Sequence, residues 1–277
     1  MKSRMDGLRN LARSIGAAAV AGVLVLGAAG AAHANPTPST GSEAGGDTVT
    51  VPAPLPAEPF TQVSGGGTHP PAPGSDGNVY AWGYNGSGRL GDGTTVTRPT
   101  PVRVPAPAGV TFTQVVGGYY FSLGLTSDGS VYGWGQNGFG QLGDGTTTPR
   151  STPRKALLPA GVVITQITTG GYYSAALDSN GNVWTWGQNP YGQLGDGSPS
   201  TGRSTPAQIP PPAPGVTFTQ IKGGFHHAVA LGSNGTVYAW GRNANGQLGD
   251  GTTTDHSTPP PVLTPTIPGV TFPPIEA

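Results

Sequence analysis

Four tryptophans, each followed by glycine, recur along this chain at Trp82, Trp134, Trp186 and Trp240, at spacings of 52, 52 and 54 residues. Eight residues after each Trp the same tetrapeptide begins, Leu-Gly-Asp-Gly, opening at Leu90, Leu142, Leu194 and Leu248. Twenty-two residues before each Trp a second phrase opens, Phe-Thr-Gln-Val or a close variant, at Phe60, Phe112, Ile164 and Phe218. A period of this length constrains the fold more than any other feature. Each unit is one supersecondary piece that cannot bury its apolar face alone and must stack on its neighbours.

Within a unit the local signals are those of strands and turns. In the second unit, Val110–Val116 is a short β-branched and aromatic run. Gly117-Gly118 breaks it, Asp128-Gly129 reads as a hairpin turn, and Ser130–Gln136 is the next strand. The proline-flanked stretch from Pro153 to Leu158 suits an edge strand, where a missing N–H does least harm. The chain holds 48 glycines and 30 prolines among 277 residues, a share that without a period would point to disorder; here they fall in phase and mark turns. Tyr80, Tyr132, Trp184 and Tyr238 precede the repeated Trp by two, so each unit carries an aromatic pair on one strand face. The reading is an all-β chain of four-stranded blades, a β-propeller-type repeat of about four units, hence a partial or small propeller.

These phrases resemble the regulator-of-chromosome-condensation repeat family. The fullest copy is Gly223-Gly224-Phe225-His226-His227-Ala228-Val229-Ala230-Leu231, then Val237-Tyr238-Ala239-Trp240-Gly241 and Asn245-Gly246-Gln247-Leu248-Gly249-Asp250-Gly251. The resemblance implies a β-propeller, usually of about seven blades. The family's founding member resembles a nucleotide-exchange factor on chromatin. That role does not carry over to a chain with no basic tail. Secreted bacterial relatives, among them proteins similar to β-lactamase inhibitors, bind enzymes through loops on one propeller face. Three departures stand out. Four units are not seven. The His that often opens the second strand is kept as His69 and His227 but is Phe121 and Tyr173 in the middle units. And Pro70, Pro71 and Pro73 fall where the first unit should have a strand, so that strand is expected to be missing or distorted. Pro268-Gly269-Val270-Thr271-Phe272 starts a fifth unit, whose strand would either pair with the first unit to close a small ring or cap an open arc. Open blade edges would favour self-association.

Residues 1–34 read as a secretory signal peptide: basic residues Lys2, Arg4, Arg9 and Arg13, an apolar run from Ile15 to Ala32, and Ala32-His33-Ala34 as the cleavage pattern. Residues 35–59 read as a Pro/Gly-rich linker with an edge strand, and 60–277 as four repeats plus the start of a fifth. The expected location is extracellular or cell-wall associated, with no membrane association after cleavage. Beyond residue 34 the chain has 9 basic and 12 acidic residues and no run of Lys or Arg. That leaves no basic footprint for nucleic acid. There is no cysteine, hence no disulfide, thiolate nucleophile or cysteine metal site.

No nucleophile elbow, phosphate loop or zinc-protease phrase occurs, so the chain reads as a binder and not an enzyme, with no cofactor. Asp92, Asp144, Asp196 and Asp250 recur in phase, but one carboxylate per unit falls far short of the six to eight oxygens calcium takes, so they read as turn residues and no metal site is expected. His226 and His227 are strand neighbours that point to opposite faces, with no third ligand. What varies in phase is surface. Five residues past each Trp stand Ser87, Phe139, Tyr191 and Asn245, candidate binding loop tips. Tyr119-Tyr120, Tyr172-Tyr173 and Phe225-His226 form a candidate ring at one end, unless packing between blades absorbs them. The expected partner is a protein, an extracellular enzyme to be inhibited being the sharpest version. An extracellular polysaccharide is the alternative.

Overall fold

The computed structural model describes residues 60–263. The expectations for the signal segment 1–34, the linker 35–59 and the strand at Val270–Phe272 lie outside the described residues. Among those described, every regular element is a strand, and each repeat forms its own antiparallel sheet. The first sheet is β1 (Pro71–Pro73), β2 (Val79–Gly83) and β3 (Arg98–Val104). The second is β4 (Phe112–Gly117), β5 (Phe121–Thr126), β6 (Val131–Gly135) and β7 (Arg150–Lys155). The third repeats this pattern as β8 (Ile164–Thr169), β9 (Tyr173–Asp178), β10 (Val183–Gln188) and β11 (Gly202–Gln208). The fourth holds β12 (Phe218–Gly223), β13 (His227–Gly232) and β14 (Val237–Gly241). In place of an outer strand it has bridges from Tyr238 to Pro261 and from Gly241 to His256.

The strand that carries the first unit's prolines, expected to be missing or distorted, is cut to three residues where the other units have six. A short strand β1 does exist and pairs with β2, Pro71 opposite Ala81 and Pro73 opposite Val79. What fails is the strand inside it. Thr61 N–H donates to the Pro73 carbonyl at 3.0 Å, so Pro73 faces that inner side. In a strand, a residue's N–H and C=O point the same way. The N–H groups that Pro71 and Pro73 lack are therefore those an inner ladder would use, and only the bridge Phe60–Gly74 forms.

The sheets are held to one another by their tryptophans. Each of three apolar clusters lies between two consecutive sheets and contains the later sheet's repeated Trp. Trp134, Trp186 and Trp240 are fully buried. Each indole covers the first glycine of the preceding unit's Leu-Gly-Asp-Gly. A Cβ at Gly143 would lie 2.9 Å from Nε1 of Trp186, and Gly143 has φ +75°, so only glycine fits on both counts. In two of the three joints the indole N–H also donates to a carbonyl of that loop: Trp186 to Gln141 at 2.8 Å and Trp240 to Gln193 at 3.1 Å. The innermost strands are cross-linked by the Gln of the Phe-Thr-Gln phrase. Gln114 Oε1 accepts from Ile167 N–H at 3.1 Å, and Gln166 Oε1 from Ile221 N–H at 2.9 Å.

His69 belongs to the same joint. Its Nε2 lies 2.8 Å from Ser122 Oγ, and Ser122 spends its one proton on the Arg89 carbonyl at 3.0 Å. The ring therefore donates from Nε2. Burial, together with the Arg89 charge, holds the His69 imidazole down to about 3. An unfolded chain would protonate this ring near 6.5, so the folded state loses stability as pH falls from about 6.5 towards 3, at about 1.4 kcal/mol per pH unit.

Two predictions follow from these joints. Trp186→Ala should cost about 3–5 kcal/mol in urea unfolding, the range for emptying an aromatic site. His69→Gln should flatten the acid side of the stability profile, measured as urea midpoints at pH 6.5, 5 and 4.

Candidate functional site

The loops after each Trp-Gly and the turns after each glycine pair meet at one end of the sheets. There the structure gathers side chains from all four units. Tyr119 and Tyr120 follow Gly118, and their ring centroids are 4.3 Å apart. Tyr119 meets Phe225 at 5.3 Å and Tyr172 at 5.9 Å. Phe139, from the loop tip of the second unit, lies edge-on to Tyr172 at 5.4 Å. Phe225 continues to His226 at 4.6 Å, and His226 to Tyr191, the loop tip of the third unit, at 4.9 Å. Phe139 and Phe225 keep 41% and 48% of their surface exposed, large values for phenylalanine, so this is an open face and not a core.

Tyr173 does not belong to it. The candidate ring aligned Tyr172-Tyr173 with Tyr119-Tyr120, but the ladder register, which is the same in all three units, sets Tyr172 level with Tyr120 and Tyr173 one residue beyond. Gly135 pairs with Phe121, Gly187 with Tyr173 and Gly241 with His227. Tyr173 thus takes the place of Phe121 and His227. It is fully buried between sheets, and its hydroxyl donates to the His227 carbonyl. Gly171 stands where Tyr119 and Phe225 stand in their units, and a Cβ there would lie 2.9 Å from the Phe225 ring. Of the remaining loop tips, Ser87 is half-buried and Asn245 exposed, and neither carries a ring to extend the cluster.

Two cations complete the face, and with Tyr84 they were not singled out in sequence. The Arg89 guanidinium lies 4.6 Å from the Tyr84 ring centroid and 4.4 Å from that of Tyr120; Arg242 lies 5.2 Å from that of Tyr191. Arg89 is almost wholly buried, donates to Thr68 Oγ1 at 2.8 Å, and has no carboxylate partner among the described ion pairs. Burial lowers its pKa, but a guanidinium stays charged. A sequence signal did exist. Arg89 stands where the other units have Gln141, Gln193 and Gln247, and Tyr84 and Arg242 stand where the middle units have Gln136 and Gln188. Burial raises the Tyr172 hydroxyl, and a hydrogen bond with Tyr119 raises that of Tyr120, so both phenols are neutral at neutral pH. Beside Tyr119 and Phe225 the glycine pairs of all four units line a shallow cleft of about 290 Å³.

The in-phase aspartates are committed to their own loops. Asp144 accepts from Asn137 Nδ2 at 3.1 Å, from Thr146 N–H at 3.0 Å and from Arg150 Nε at 2.9 Å. Asn137 in turn accepts Leu142 N–H at 3.0 Å, which ties the loop shut. Asp92 and Asp250 make the same knot, with His256 replacing the arginine in the last unit. Hydrogen bonds to the Thr252 backbone and neighbouring side chains hold the Asp250 carboxyl down to about 2. Among the described residues no three His, Asp or Glu side chains are grouped to hold a metal ion.

Residues 16–277 match the sequence profile of the RCC1-like domain. The ultraviolet-B receptor UVR8 of Arabidopsis thaliana is 33% identical over 197 residues, covering 71% of this chain and 44% of that protein. The human E3 ubiquitin-protein ligase HERC2 is 36% identical over 199 residues, covering 71% of this chain and 4% of that protein. The chain thus spans less than half the length of these curated relatives. Among solved structures, human WBSCR16 superposes with a TM-score of 0.69 at 29% identity, over 76% of this chain and 54% of that one. Prp20p of Saccharomyces cerevisiae, studied for its binding to Gsp1p and histones, superposes with a TM-score of 0.67 at 23% identity, over 76% of this chain and 52% of that one.

If the aspartates serve their loops, Asp144→Ala should cost about 2 kcal/mol, the scale of hydrogen bonds to a charged group, and millimolar calcium should leave the thermal midpoint of the parent unchanged.

Proposed function

The chain belongs to the RCC1-like domain family, and from that premise we propose that it is an exported binding module that grips a protein partner through its aromatic end face. The observation that carries the reading is the continuous run of contacts from Tyr84 and Arg89 through Tyr120, Tyr172 and Phe225 to His226, Tyr191 and Arg242. Tyrosine and arginine dominate the residues that carry binding energy at protein interfaces, because they bring large rigid area together with a polar end. The half-exposed Arg242 guanidinium, held on this face without a carboxylate above the buried charge of Arg89, suits a partner that offers acidic side chains. Prp20p, on the same fold, is a protein reported to bind Gsp1p and histones. That likeness concerns the fold, and neither partner is assigned here.

Export rests on the features of residues 1–34: basic start, apolar run and Ala32-His33-Ala34. Inhibition of an extracellular enzyme is the narrowest form of the proposal. Wall polysaccharide is the second reading, favoured by the same open rings, since aromatic faces stack on sugars. Binding without turnover fits carboxylates that are engaged in loop knots, Asp92 and Asp144 among them.

The test is affinity capture from culture medium and wall extract with residues 35–277 as bait, beside a Phe139→Ala/Tyr191→Ala double variant. The expected outcome is a protein retained by the parent and reduced at least tenfold on the variant. Retention on insoluble wall material, competed by free sugar, would establish the polysaccharide reading instead. Equal recovery on both baits would overturn the assignment of this face. N-terminal sequencing of the protein recovered from medium should begin at Asn35.

A further inference from the structure

The joint between consecutive sheets is made three times in this chain, and each joint has two different sides. The leading side belongs to the later sheet and presents the phrase residue and the Trp. The trailing side belongs to the earlier sheet and presents its second and third strands and the glycine under the indole. In all three joints both sides are buried. At the ends of the described region each side occurs once more, uncovered.

The first unit has an uncovered leading side. Val63 is 77% exposed, whereas Val115, Ile167 and Ile221 at the same phase are at most 2% exposed. Phe60 is 40% exposed against 6% for Phe112, and Trp82 is half-exposed where the other three indoles are sealed. The fourth unit has an uncovered trailing side. Val229, Leu231 and Val237 are half-buried, whereas Ala175, Leu177 and Val183 at the same phase are at most 5% exposed. Gly249 lies under Val262 alone, where Gly91, Gly143 and Gly195 each lie under an indole. Gln247, at the phase of the fully buried Gln141 and Gln193, is half-exposed.

We infer that two copies of this chain pair head to tail, the Phe60, Val63 and Trp82 side of each seated on the Val229, Leu231 and Gly249 side of the other, so that Trp82 covers Gly249 of the second copy. The occupant is a second copy because the surface required is the one this chain already makes three times: the new joint continues an existing interface. Two copies suffice because this chain superposes on only about half of each larger neighbour, 54% of WBSCR16 and 52% of Prp20p. A head-to-tail interface forms a ring when its rotation closes, and two half-circles close. The association runs face to face between sheets and not through strand edges. It does not rest on the aromatic end face, whose Phe139→Ala/Tyr191→Ala variant should pair as the parent does.

Sedimentation equilibrium of residues 35–277 tests the pairing, beside Val63→Asp and Val229→Asp. Val63 is exposed within one copy, so its replacement leaves folding intact, and circular dichroism with thermal melting checks both variants. The parent should sediment at twice the mass of one chain. Each variant should raise the dissociation constant about a hundredfold or more, because a charge would be buried unpaired at the joint. An equimolar mixture of the two variants keeps one sound joint and should regain a two-chain particle more weakly than the parent. A parent that stays monomeric overturns the inference: something else, residues beyond 263 included, then covers the fourth unit. A two-chain particle indifferent to both variants overturns it as well, as does an open-ended series of larger species.

Discussion

The contact between one unit's indole and the glycine of the unit before it is the interaction on which the rest of this structure depends. It joins burial, hydrogen bonding and backbone conformation at one point. Trp186 is sealed against Gly143, its N–H is satisfied by Gln141, and Gly143 holds a backbone angle that leaves room for the ring. The contact is non-local by about one repeat length, yet always between neighbours in sequence, so the stability of the chain is close to a sum over joints. A unit without a partner on one side lacks half of this arrangement, and the burial of Val63 and Val229 differs from that of their equivalents for that reason alone.

Much of this was legible in the repeat. The period assigned the sheets, the aromatic pairs marked one strand face, and the Leu-Gly-Asp-Gly loop could be recognised as structural from the shortage of oxygens around its Asp. What the glycine pairs by themselves could not show was register at one-residue resolution. Tyr172-Tyr173 looks like Tyr119-Tyr120 because both follow a glycine pair, but the third unit reaches its pair one residue later, at Gly170-Gly171. Strand faces alternate with every residue, so a slip of one moves a side chain from the open end into the joint. The ladder from Gly187 to Tyr173 decides the matter, in agreement with the count of thirteen residues back from each repeated Trp. Arg89 was overlooked for a different reason. A lone cation in a loop reads as solvated surface, and only the three-dimensional meeting of Tyr84 and Tyr120 around it shows a buried guanidinium.

The end face and the joints divide the aromatic residues between two tasks. Rings that precede or form the repeated Trp pack inward at fixed phase and vary little: Tyr, Tyr, Trp, Tyr at one position and Trp throughout at the other. Rings on the turns vary from unit to unit, from Tyr84 to Gln136 and from Phe139 to Asn245. The scaffold thus tolerates change where the loops are anchored from below by the Asn–Asp knot. That knot fixes the loop backbone independently of the residue at its tip, which frees the tip for recognition.

The prolines of β1 have a further consequence, for how this protein fails. A sheet that ends in a bare row of N–H and C=O groups is a template on which any extended chain can add a strand, the first step towards fibrillar aggregates. On the inner side of β1 the donors at 71 and 73 have been removed chemically, so a foreign strand arriving there would find acceptors without the alternating donors a ladder needs. The end unit of a repeat array is where such additions would otherwise begin, and here it resists templated growth while its broad apolar face stays available for ordered packing.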